Sequence, residues 1–166
     1  APKSCGITSC SYEDFEYAQK VGVTAPFYLS KLFVPYFAEG ASIVNISSSR
    51  DRMSQPETES YTSAKGGISA LTHAMSVSLA GKVRVNSISP GWIDNNYTVY
   101  EGADATQQPV GRVGNPLDIA NMVMYLCSMC HLYKNNLKCE RRDIIEGKVQ
   151  FPLQIVKLAD YVKTEE

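Results

Sequence analysis

Ser48, Tyr61 and Lys65 are the residues whose types and spacing suggest chemistry. In a helix Tyr61 and Lys65 stand one turn apart on the same face, so the lysine ammonium lies near the phenol oxygen. A phenol with a reference pKa near 10 exchanges protons poorly at neutral pH. Bringing such a group near 7 takes about 4 kcal/mol of differential stabilisation of the phenolate. A positive charge roughly 5 Å away contributes about 3 kcal/mol at an effective dielectric near 20. The N-terminus of the helix that Tyr61 opens adds part of the rest. Ser48, at the end of the preceding apolar run, can hydrogen-bond a substrate oxygen and hold it for proton transfer. Such a group suits reduction of a carbonyl or oxidation of an alcohol. A hydride still needs a carrier, because no side chain delivers one.

The elements that must position these residues are legible from local pattern. Ser11 reads as an N-cap with Asp14 three residues on, opening a long helix from Tyr12 to Phe37 that Pro26 should kink or break. "ASIVNIS" (41–47) is a short β-rich run without alternation, as expected of a strand covered on both faces. From Ser60 to Ala80 a helix carries Ala64, Ile68, Leu71, Met75 and Leu79 on one stripe. "KVRVNSIS" (82–89) is a second strand, followed by a long loop to Gly114. Asn115, Pro116 and Asp118 then open a third helix over 116–128. Helices alternating with strands predict a parallel sheet in an α/β layered fold. Two parallel strands are few for a stable sheet, so further strands are expected beside them.

Composition narrows the partners. With 166 residues, 44% of them apolar, and a formal charge of -1, the chain has no electrostatic footprint for nucleic acid or an anionic membrane. No apolar run approaches the ~20 residues of a membrane-spanning helix, and no signal peptide is read at the start. The five cysteines (Cys5, Cys10, Cys127, Cys130, Cys139) lack a disulfide-framework spacing and predict a reducing, cytoplasmic setting. "CSMCH" (127–131) has the form of a haem-attachment or zinc motif, but no second ligand pair follows and no metal site is expected. Arg50, Arg52 and Arg112 are read as solvated loop charges before anion ligands, and His73 as a packing residue.

Four ordered segments, "SIVNISS", "YTSAKGGISALT", "VRVNSISPGWI" and "GRVGNPLDIA", carry a resemblance to the short-chain dehydrogenase/reductase family over about residues 12 to 128. The resemblance implies a partial doubly wound parallel sheet, Rossmann-like, lacking its first strands and the glycine-rich turn that holds the pyrophosphate. Ala1 would then fall just after the family's fourth strand. It also implies that Ser48 orients the substrate oxygen, Tyr61 is the general acid/base, and Lys65 tunes the phenol and holds the nicotinamide ribose. Pro90, Gly91 and Ile93 would lie against the nicotinamide, Ile93 through its backbone, with Asn95 as a donor where the family usually has threonine. Met53, Trp92 and Tyr97 are expected at the substrate pocket. The cofactor would be NAD or NADP, the substrate a small alcohol or carbonyl, and the assembly a homo-oligomer through the helices at 12–37 and 60–80. Gly22 stands where the family often has an asparagine that holds a relay water. On this reading residues 1–128 are the C-terminal portion of a Rossmann-like domain and 129–166 a charged tail. The alternative is a truncated or pseudoenzyme module that keeps the dimerisation surface but not turnover.

Overall fold

The computed structural model describes residues 4–106, 110–134 and 156–157. They divide into two compact units, one holding the chain up to Ser89 together with the strand at Val156, the other beginning at Pro90.

In the first unit, Ser11 caps helix α1 (Tyr12–Gln19) by accepting from the Asp14 amide at 3.1 Å. The expected long helix does not break at Pro26. It passes through a π-helical turn at Lys20–Thr24 into α2 (Ala25–Phe33) and a closing 3₁₀ turn at Val34–Tyr36. The Ala25 amide reaches back to the Lys20 carbonyl in that turn. Proline has no N–H for the Gly22 carbonyl and its ring would press on the same group. The wider turn moves that carbonyl out of the way, which is how the chain keeps its direction.

Strand β1 (Ala41–Ile46) is followed by a 3₁₀ turn at Ser49–Asp51, helix α3 (Glu59–Ser78) and strand β2 (Val83–Ile88). Gly40 and Gly81, both with φ near +80°, turn the chain into the two strands. β1 and β2 are parallel, in register from Ala41 opposite Val83 to Ile46 opposite Ile88. β3 (Val156–Lys157) pairs antiparallel with the other edge of β2, giving the order β1-β2-β3. It lies within the segment "KVQFPLQIVKL" (148–158), whose other residues fall outside the described ones. The α3 stripe is buried at Ala64, Ile68 and Met75, and Met75 packs with Val83 and Val85 against Phe37, Ile43, Leu71 and Leu79.

Two glycines bring the first helical segment onto α3. A Cβ on Gly22 would stand 2.7 Å from the Ala64 Cβ, and one on Gly67 would stand 2.7 Å from a Val23 methyl. The notches are reciprocal, one on each helix. Gln19 adds polar ties, its amide donating to the Ser60 carbonyl and to Ser63 Oγ.

The expectation of unpaired cysteines is corrected at the N-terminus. The Ser9 and Cys10 amides fold back to the Gly6 carbonyl, and this tight turn sets the Cys5 and Cys10 Cα atoms 4.9 Å apart, joined by a disulfide. The clipped loop docks on the start of α3: the Cys5 amide donates to Ser60 Oγ, the Ser60 amide to the Cys5 carbonyl, and Thr8 and Ser9 to the Glu57 carboxylate. Among the described residues no helix is long and apolar enough to cross a membrane.

In the second unit, a short helix α4 (Gly102–Thr106) interrupts the expected loop, and α5 runs Pro116–Lys134, past the expected end at 128. Among its described side chains, Met122 and Leu126 are fully buried. Asn115 Oδ1 accepts from the Leu117 and Asp118 amides while the Asp118 carboxylate accepts from the Asn115 amide, a reciprocal cap. Asn115→Ala is expected to cost about 1 kcal/mol of helix stability, read as a lower denaturation midpoint. An unmoved midpoint would show the cap to be idle.

Candidate active site

The first turns of α3 put Tyr61 and Lys65 on one cavity wall, and the end of β1 brings Ser47 against the Lys65 backbone, with Ser48 outside the residues that line the cavity. Ser47, at the strand end, is held by its amide on the Ile88 carbonyl and by its hydroxyl on the Lys65 carbonyl at 2.8 Å. Ser48 follows in extended conformation, 9% exposed, its hydroxyl accepting from the Arg50 amide. Tyr61 and Lys65 line a cavity of about 310 Å³ with Ala18, Gly22, Asn45 and Ile46 among its other walls. The Lys65 ammonium lies 5.6 Å from the Tyr61 ring centroid and donates to the Ile46 carbonyl at 2.9 Å. Burial lowers the lysine's proton affinity. That carbonyl takes one of three N–H groups, leaving donors for a ligand in the cavity.

Gly22 is at the cavity wall, pressed on Ala64, so an asparagine side chain has no room there without separating the two helices. Asn45 supplies the polar amide of this wall, its nitrogen donating to Thr72 Oγ1 at 2.9 Å. The sequence reading missed Asn45. It also missed Asp51, whose carboxylate is enclosed and receives Arg52, Ser69 and Ser89. One signal was available: Ser69 continues the Tyr61, Lys65 spacing by another four residues, on the same face of α3.

The loop arginines are accounted for. Arg52 pairs with Asp51, Arg112 makes a two-point pair with Asp118, and Arg50 donates to the Met53 carbonyl. Met53 itself is half exposed.

Pro90, Gly91, Trp92, Ile93, Asn95 and Tyr97 belong to the second unit. Pro90 is buried, whereas Asn95 and Tyr97 are exposed, Tyr97 with φ +56°. Trp92 packs edge-on against Tyr100, with ring centroids 4.7 Å apart. Ile93 forms a parallel bridge with Gly114, made by the Gly114 amide to the Trp92 carbonyl and the Asp94 amide to the Gly114 carbonyl. A bridge of this kind uses the neighbours' groups, so the N–H and C=O of Ile93 point to the opposite side. Cys127 is exposed; the side chains of Cys130 and His131, and all of Cys139, lie outside the described residues. Among the described residues no three His, Cys, Asp or Glu side chains cluster as metal ligands would.

Comparison with known proteins identifies the family and the fold. The family described as enoyl-(acyl carrier protein) reductase matches residues 1–133. An uncharacterized oxidoreductase of Thermotoga maritima is 41% identical over 130 residues, covering 69% of this chain and 49% of that protein. An apo SCOR enzyme from Clostridium thermocellum superposes with a TM-score of 0.69 at 45% identity, over 75% of this chain and 51% of its own. A 4-hydroxyisoleucine dehydrogenase complexed with NADH and succinate gives 0.69 at 30% identity, over 80% and 59%. The chain belongs to the short-chain dehydrogenase/reductase family of oxidoreductases, with the Rossmann-like α/β fold. It spans about half the length of the relatives it matches.

Proposed function

We propose that the chain carries the proton-transfer half of a nicotinamide-dependent oxidoreductase that interconverts a small alcohol and a carbonyl. The observation that carries this reading is the Lys65 ammonium over the Tyr61 ring at the wall of an open cavity. Tyr61 gives its phenol proton to the carbonyl oxygen and takes it back in the reverse direction. Lys65 stabilises the phenolate left behind, and its tie to the Ile46 carbonyl holds it there without a competing carboxylate. Ser48 turns its hydroxyl to the substrate oxygen and keeps it within reach of the phenol. A bound NAD or NADP supplies the hydride. Tyr61, Lys65, Pro90, Gly91, Asn95 and the backbone of Ile93 would hold its nicotinamide end. Met53, Trp92 and Tyr97 would line the substrate side. The NADH complex of the 4-hydroxyisoleucine dehydrogenase supports the choice of cofactor.

Self-association belongs to the same reading. Phe27, Leu29, Leu32 and Phe33 of α2 are each about half exposed, an apolar surface that a second copy would cover.

Titration with NADH and NADPH tests the assignment, following energy transfer from Trp92, the only tryptophan, to the reduced nicotinamide. Saturable transfer, with oxidation of the bound cofactor on adding a carbonyl substrate, is the expected result. Folded protein that shows no transfer at millimolar cofactor would turn the assignment toward the interaction module without turnover.

A further inference from the structure

Among the described residues of the first unit, the Asp51 carboxylate is an enclosed charge that the proton-transfer group does not use. Its side chain is 3% exposed. Three segments converge on it: Arg52 from the same turn at 2.8 and 2.9 Å, Ser69 from α3 at 2.8 Å, and Ser89 from the end of β2 at 3.3 Å. Through its amide, Asp51 also bonds the Ser48 carbonyl at 3.0 Å. Ser69 in turn lies 2.9 Å from Ser47, whose hydroxyl holds the Lys65 carbonyl.

Enclosing a charge in this way contributes little net stability, because a well-packed apolar side chain of the same volume would do as well. What it adds is geometry. A carboxylate shared by three donors from three segments fixes their mutual register to within the tolerance of hydrogen bonds.

We infer that Asp51 is a positioning residue, its carboxylate clamping the turn that carries Ser48 onto α3 and β2 so that the Ser48 hydroxyl keeps its register with Tyr61 and Lys65. The inference rests on the proposed role of Ser48, and its test is built to separate the two. Arg52 is the charged group bonded to Asp51; the contacts from α3 and β2 are the neutral hydroxyls of Ser69 and Ser89. Arg52 first, then those hydroxyls, hold the Asp51 carboxyl below the usual carboxylate range against the opposing effect of burial. The clamp is therefore complete above the unfolded carboxyl value of about 3.9 and is lost as the pH falls through the lower folded value.

Amide hydrogen exchange over residues 48–53, followed from about pH 2.5 to 6 in the wild-type chain and in Asp51→Asn, reads the clamp without any need for turnover. Wild type is expected to lose protection in one step below about pH 4, and Asp51→Asn to show about tenfold lower protection with no such step. Wild-type protection and pH profile in Asp51→Asn would overturn the clamp. In turnover, Asp51→Asn is expected to lower kcat by about tenfold or more with KM little changed, since misplacement rather than lost binding is the defect. Lost protection with an unchanged kcat would overturn the positioning role. Turnover that is absent, or that survives Tyr61→Phe, counts against the catalytic reading alone, and the exchange profile still decides the clamp. Should Asp51→Asn fail to fold, Ser69→Ala removes one arm of the clamp and carries the same test with a smaller loss of protection.

Discussion

Tyr61→Phe is expected to lower turnover by about 10²–10⁴-fold while leaving the fold nearly unchanged and weakening reduced-nicotinamide binding by far less than it slows turnover. The substitution removes one oxygen from a half-buried ring and keeps the ring itself under the Lys65 ammonium. The lysine's tie to the Ile46 carbonyl is independent of that oxygen. The loss should therefore fall on kcat, because the missing group acts only when a proton moves to or from the substrate oxygen. Initial rates of nicotinamide oxidation with a carbonyl substrate measure it, with circular dichroism and the cofactor titration as controls. Turnover retained within tenfold would remove Tyr61 from the acid/base role and leave the cavity in need of another proton donor.

Gly22→Asn, the residue the family often carries here, is expected to destabilise this chain by about 1–3 kcal/mol. The reason is the 2.7 Å separation that any Cβ at position 22 would have from the Ala64 Cβ, inside the closest carbon–carbon approach. Neither partner is the far end of a flexible side chain, so α3 and the π turn must move apart. They are already pinned on the other side by Gly67 against Val23. Urea or guanidinium midpoints read the cost. Pairing Gly22→Asn with Ala64→Gly should recover much of it, because the second change removes the obstructing methyl. A double variant no more stable than Gly22→Asn alone would show that the notch is not what excludes the asparagine. In the cavity, the polar group on this wall is then Asn45, which reaches it from β1 rather than from the helix.

The division between chain and fold can be drawn residue by residue. Helix period placed Tyr61 and Lys65 on one face, and the run from Ala41 with its matching run from Val83, separated by a helix, required two parallel strands. The caps at Ser11 and Asn115 were legible for the same reason: each is a hydrogen bond between residues two or three apart. Pro26 was visible as an interruption, but whether the chain would break or widen into a π turn depended on the packing of Gly22 against Ala64. The Cys5–Cys10 pair depended on a turn that spacing alone does not specify.

By itself the sequence determined that Tyr61 and Lys65 share one helix face and that Ser48 follows a strand, because helix and strand periods act over a few residues and the motifs are local. Tertiary structure decided what holds that group in place. The Lys65 bond to Ile46 spans 19 positions, the Asp51 bonds to Ser69 and Ser89 span 18 and 38, and the docking of the N-terminal loop on Glu57 spans 48 or more. Such contacts form only when strand, turn and helix have packed, and periodicity along the chain carries no term for which hydroxyl a buried carboxylate will meet.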